Sequence, residues 1–168
     1  MRYYEISSAG VLMGKIQESI LELMKNGVGF EAPVEAGFKF QKNINLTTEE
    51  ISEFAELAGD MNPMHHDEKT ANASRFGGIV ASGPHSSALF MGSCATDLAP
   101  GYLMMGMDID AQFREPLRPD TDLTLHWTLK AIIPKPRLSG YIVTIEGGIK
   151  NGENDILLAT ATGLLIEE

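Results

Sequence analysis

Leu123, Leu125, Trp127 and Leu129 alternate with Thr124, His126, Thr128 and Lys130. That period of two puts one face of a strand into a core and leaves the other polar. Tyr141, Val143 and Ile145 alternate likewise, and Ile156 to Ile166 predicts a further long strand, with Asn151-Gly152 as the turn between them. Leu103 to Phe113 reads as an irregular strand stopped by Pro116 and Pro119, and Gly37 to Leu46 is strand-like with Phe38 and Phe40 on one face. Upstream the period lengthens. Ile51, Phe54, Ala55 and Ala58 form one stripe of a helix that opens with a capping box, Thr47 as N-cap and Glu50 at the third helical position. Asp67 is placed to cap a short helix through Thr70 and Ala71, ended by Gly77-Gly78. A second long helix is expected from Pro84 to about Ala99, with Gly83 as N-cap, spanning roughly 24 Å at 1.5 Å per residue. Leu89, Phe90, Met91, Cys94 and Leu98 leave it no polar face, and such a helix is buried. Gly92, Ser93 and Ala95 are small enough for a sheet to approach closely. Residues 1–30 predict an N-terminal helical extension, with Ile16, Ile20, Leu23 and Met24 at helical spacing. Residues 31–168 then read as one domain of α+β class, an antiparallel sheet wrapped around a long central helix.

The chain has 168 residues, enough for one hydrophobic core, and its 43% hydrophobic and 21% charged residues are ordinary for a globular protein. The single cysteine, Cys94, excludes an intramolecular disulfide and agrees with a reducing compartment. It sits in an apolar run, as an inert buried thiol would. No window of eighteen apolar residues suggests a membrane span, and the N-terminus lacks the apolar stretch of a signal peptide, so a cytoplasmic location is expected. The net charge of −10 argues against nucleic acid as a partner. Charge is uneven, however. Between Ala111 and Arg137 five basic residues, Arg114, Arg118, Lys130, Lys135 and Arg137, face three acidic ones, an excess of two that could receive phosphates. Scattered solvated charge is the alternative.

The chemistry concentrates in Phe54 to Ala71, F-A-E-L-A-G-D-M-N-P-M-H-H-D-E-K-T-A. Gly59 loosens the chain, Pro63 fixes its own φ, and Asn62 before it is driven toward extended geometry. A rigid bent loop should result, with Asp60 at one end and His65 at the other, converging on a volume that could hold and polarise one water. The alternative is a structural loop with an Asp cap and a surface histidine. Asn62 is read as ordering the loop through its side chain. His66, if extended, points away from His65 to solvent, and His126 is read as exposed on a polar strand face. No metal is expected: His65, His66 and Asp67 are contiguous, and no H-x-x-x-H or C-x-x-C pair exists. Glycine patterns for nucleotide cofactors and a G-x-S-x-G elbow are lacking, so no cofactor is expected either.

Phe54, Ala58-Gly59-Asp60, Asn62-Pro63, His65 and Ala71 resemble the signature of the MaoC-like dehydratases, a group that includes (R)-specific enoyl-CoA hydratases and acyl-ACP dehydratases. Phe113-Arg114-Glu115-Pro116-Leu117-Arg118-Pro119 is similar to that family's F-x-x-P-V-x-P-G-D segment, with Asp120-Thr121-Asp122 in place of Gly-Asp. The likeness runs from about residue 37 to the C-terminus and implies a hotdog fold. It implies a hydro-lyase acting on an acyl-CoA or acyl-ACP thioester, with Asp60 and His65 at the catalytic positions and Gly83 at the oxyanion position. The backbone N–H of Gly83, at a helix start, suits that role on physical grounds, and one such donor is worth roughly 3–4 kcal/mol. The family commonly has His-Gly before this helix. Here Ser82-Gly83-Pro84-His85 stands instead, a departure that bears on the shape of the acyl pocket. Asn62, Ser82 and His85 are candidate substrate-binding residues, and Arg114 and Arg118 candidate phosphate ligands. For His85 a capping or polar packing role is the alternative. An acyl thioesterase and a non-catalytic acyl-binding subunit remain alternatives on the same fold. The open edges of such a sheet imply a homodimer.

Overall fold

The computed structural model describes residues 34–99 and 101–167, so the helix expected within residues 1–30 lies outside the described residues. Five strands form one antiparallel sheet: β1 (Lys39–Ile44), β2 (Tyr102–Phe113), β3 (Leu123–Lys135), β4 (Gly140–Asn151) and β5 (Asn154–Glu167). Their order is β1-β3-β4-β5-β2. Three helices are described: α1 (Thr48–Leu57), α2 (Glu68–Ala73) and α3 (Gly83–Asp97). This is the α+β hotdog arrangement, the sheet curved around α3. Among the described residues no helix is long and apolar enough to cross a membrane.

The alternation in β3 does what its period requires. Leu123, Leu125, Trp127 and Leu129 are all buried, each contributing roughly 1.5–3 kcal/mol on burial. They meet Phe90 and Cys94 from α3 and Leu98 at its C-cap, with Val143 and Ile145 of β4 in the same core. Phe40 stacks on Trp127 at 5.1 Å between ring centroids and Phe38 lies 5.8 Å away. The Trp127 indole N–H, deep in the core, donates to Ser93 Oγ at 3.1 Å, and Ser93 donates to Asp97 Oδ2, which Lys42 Nζ also reaches at 2.8 Å. Burial pushes the Cys94 thiol up to about 12, which suits an inert residue.

Five expectations need correction. The central helix begins at Gly83 with Ser82 as its N-cap, one residue earlier than the Pro84 signal suggested. It is also not buried all round: Pro84, Ala88, Gly92, Ala95 and Thr96 are exposed, because the sheet covers only one side of the helix. Of the small residues, Ser93 meets the sheet, whereas Gly92 and Ala95 do not. The basic stretch does not converge. Arg118 is tied to Phe76 O near the start of β3, Lys130 pairs with Glu146 across the sheet at 3.1 Å, and Lys135 ends β3, roughly 40 Å of extended chain from its start. His126 is half-buried, paired across the sheet with Gln41 and Gly148, and burial lowers its pKa.

Candidate active site

Helix α1 is started and stopped by local chemistry. Thr47 Oγ1 accepts the Glu50 N–H and Glu50 Oε2 accepts the Thr47 N–H, a reciprocal capping box. At the other end Gly59, at φ +75°, donates to Glu56 O at 2.9 Å while Asp60 N–H donates to Ala55 O at 2.8 Å. This pair of bonds is the Schellman closure, and its left-handed residue favours glycine. The closure leaves Asp60 pinned by its own backbone to the last turn of a packed helix.

Asn62 is extended (φ −62°, ψ 122°) and its Oδ1 accepts the Met64 N–H at 3.2 Å. Its own N–H donates to Asp60 Oδ1 at 3.2 Å, which orients the carboxylate. Pro63–His65 then form a single 3-10 turn. The turn brings His65 Nε2 to 3.3 Å from Asp60 Oδ2. Asp60 is 37% exposed at its side chain and His65 only 9%, so the pair opens outward on the carboxylate side.

The second ring nitrogen decides what the pair can do. His65 Nδ1 lies 2.6 Å from Val80 O. A carbonyl can only accept, so Nδ1 carries a proton, and in the tautomer where that is the ring's one N–H, Nε2 presents a lone pair. Two acceptors 3.3 Å apart cannot bond each other without a shared proton. A water roughly 2.8 Å from each can donate one hydrogen to Asp60 and one to His65, leaving its oxygen lone pairs free for attack.

His66 does not turn to solvent, as extended geometry would require, because the chain is turned here. Its Nε2–H donates to Asp60 O at 2.8 Å and its Nδ1 accepts from Ser52 Oγ at 2.8 Å. This clamp from α1 to the loop had no sequence signal beyond the His-His pair, since its partners lie six and fourteen residues away. The Val80 carbonyl was equally silent.

Val80 N–H donates to Met64 O and Ala81 N–H to Leu117 O, which carries the chain from the loop to the start of α3. Ser82 is buried and its Oγ has no hydrogen-bond partner among the described residues. Gly83 follows at the first helical position, where the N–H has no intrahelical acceptor. The Phe113 ring packs so close that a Cβ on Gly83 would lie 3.0 Å from it. His85 is 5% exposed, stacked on Phe54 at 4.1 Å with the planes 9° apart. Its Nδ1 is also unpartnered among the described residues. Burial lowers its pKa, against a smaller opposite pull from Glu50.

The structure thus assembles Asp60, Asn62 and His65 in one loop and joins it through Val80 to Ser82 and Gly83. Arg114 and Arg118 are each engaged within the chain: Arg114 Nη2 donates to Gln112 Oε1 and Arg118 Nη2 to Phe76 O, both at 2.5 Å.

The family described as MaoC like domain matches residues 29–144, well over half of the chain. No curated protein matches. Among solved structures the chain is similar to the unliganded R-hydratase PhaJ1 from Pseudomonas aeruginosa, at 24% identity and TM-score 0.70 over 80% of this chain and 84% of that one. It is similar to the (R)-hydratase from A. caviae involved in PHA biosynthesis, at 21% identity and TM-score 0.70 over 82% of this chain and 100% of that one. A MaoC-like dehydratase from Rhodospirillum rubrum is 27% identical, with TM-score 0.66 over 80% of this chain and 94% of that one. By the family match and the fold together, the chain belongs to the MaoC-like dehydratases.

Proposed function

We propose that this protein is an enoyl-thioester hydratase, adding water reversibly to a trans-2-enoyl thioester to give the (R)-3-hydroxyacyl thioester. The observation that carries this reading is the facing of Asp60 Oδ2 and His65 Nε2 at 3.3 Å with the far ring nitrogen committed to Val80 O. A water donating to both groups gives one proton to the pair as its oxygen attacks the β-carbon. Electrons move through the conjugated system to the thioester oxygen, which the Gly83 N–H and the positive end of α3 stabilise. The proton held by the pair returns to the α-carbon, so hydroxyl and hydrogen together account for one water. Ser82, whose buried hydroxyl beside Gly83 has no partner among the described residues, would line the thioester site. The relatives' names as (R)-hydratases support a hydration and its (R) stereochemistry. Incubation with crotonyl-CoA tests the reading: enoyl absorbance should fall with no free thiol released. Thiol release would instead identify a thioesterase.

The same reading includes a homodimer. Strand β2 is an edge twelve residues long that exposes Leu103, Met105 and Met107, the last two 58% and 60% accessible. Helix α3 packs next to it, with Met91 against Gly106 of this strand. An apolar edge of this length is normally covered, and a second copy paired along β2 would extend the sheet and close the face. Sedimentation should give twice the mass of one chain at micromolar concentration; a monomer would refute this part.

A further inference from the structure

The outer face of the sheet carries an apolar row that the core does not use. Alternation sends Ile132, Val143 and Leu165 inward to the core and their neighbours Ile133, Ile142 and Leu164 to the other side. Ile133 pairs with Ile142, Ile142 with Leu164, and Leu164 with Met105, so the four stand in one line across β3, β4, β5 and β2. The first three are half-buried and lie outside the core cluster, and Met105 is exposed. With adjacent strands about 4.8 Å apart, the line is roughly 14 Å long.

The chain enters the fold beside this row. Strand β1 pairs with β3 only as far as Thr128, and the turn before it is tied by Gly37 N–H to Leu129 O. Beyond that point the β3 edge, Lys130 to Lys135, is open among the described residues. Residues 1–33 precede it, and their sequence predicts a helix with Ile16, Ile20, Leu23 and Met24 on one side and Glu18, Glu22 and Lys25 on the other. From Ile16 to Met24 such a stripe runs roughly 12 Å at 1.5 Å per residue, close to the length of the row. Residues 27–33 can span up to roughly 24 Å, whereas Leu129 to Ile133 is roughly 13 Å along the strand.

We propose that the segment from Ile16 to Met24 docks as a helix on this outer face, its apolar stripe on Ile133, Ile142 and Leu164 and its charged side to solvent. On so short a tether its effective concentration at the row is on the order of millimolar, which a free partner would have to exceed. The homodimer proposed above joins backbones along β2 and leaves Ile133 and Ile142, on β3 and β4, uncovered, so both arrangements fit one assembly.

The test is the rate of trypsin cleavage at Lys15 and Lys25 in the full chain, because a docked helix is cut only from its open form. Emission of the single tryptophan, Trp127, buried in the core, reports that the domain of each variant is folded. Ile20→Asp breaks the stripe without touching the sheet. Ile133→Thr together with Leu164→Thr breaks the row while keeping residues that favour strands. Both variants should be cut about tenfold faster than wild type, with the sedimentation mass unchanged. Thr160→Ala, on the polar part of the same face opposite Glu146 and Asp110, should be cut at the wild-type rate. Wild-type cleavage as fast as that of Ile20→Asp overturns the proposal. A folded Ile133→Thr/Leu164→Thr chain cut at the wild-type rate overturns it as well. If that chain also loses sedimentation mass, a second copy covers the row in place of the segment.

Discussion

Replacing Asp60 by asparagine keeps the side-chain shape and removes the charge that the proposed chemistry needs. The Asn62 N–H that Oδ1 now accepts can be retained by the amide oxygen. The amide nitrogen then stands where Oδ2 stood, 3.3 Å from His65 Nε2, and can donate directly to its lone pair. The bridging water loses both acceptors at once. Removing a positioned general base typically costs 10²–10⁴-fold, about 3–5 kcal/mol of barrier. The folding cost should be far smaller. Asp60 is over a third exposed, and ion pairs of that kind contribute about 0–1 kcal/mol. The assay is crotonyl-CoA hydration followed by enoyl absorbance, beside urea unfolding of the same preparation. The expected result is a kcat reduced at least 100-fold with stability changed by less than about 1 kcal/mol. A kcat within threefold of wild type would refute the role of Asp60, and a matching collapse of stability would make the effect structural.

The other expectations follow from contacts around the site. Ser52→Ala removes the hydroxyl that donates to His66 Nδ1. It should cost about 1 kcal/mol in urea unfolding and lower kcat several-fold through a looser Asp60 loop. Ser93→Ala strands the buried Trp127 N–H and takes one bond from Asp97. A loss of about 1–3 kcal/mol is expected, readable as a shift in the denaturation midpoint. His85 and His126 are both held below the usual 6.5 by burial. The unfolded chain therefore binds more protons than the folded one between each depressed pKa and 6.5, and unfolding free energy should fall as pH drops below 6.5. His85→Leu should flatten part of that slope. At Asp97 burial pushes upward, but the bonds from Lys42 and Ser93 win and hold its pKa below 3.8. Its contribution is present above 3.8 and lost as pH falls through the depressed value.

What the sequence made legible was what local chemistry dictates. Gly59, Asn62 and Pro63 each restrict their own backbone, so the loop and its two ends could be read directly. The capping box at Thr47 and the alternation in β3 are local in the same sense. Contacts set by the curvature of the sheet were not legible. Alanine and glycine look alike on both sides of α3, yet Ala88 and Ala95 are bare while Phe90 and Cys94 are buried. Arg114 to Arg137 looked like one patch because proximity along a chain was taken for proximity in space, and β3 separates its ends. The unsatisfied state of Ser82 and His85 depends on groups that do not reach them, which no single-sequence pattern records.

The most direct measurement is the fate of labelled solvent. Wild-type protein and crotonyl-CoA in water enriched in oxygen-18 should yield (R)-3-hydroxybutyryl-CoA carrying one heavy oxygen on the β-carbon and none in the thioester carbonyl. Label recovered in free crotonate, or no label incorporated at all, would contradict a water held between Asp60 and His65 and aimed at a carbon–carbon double bond.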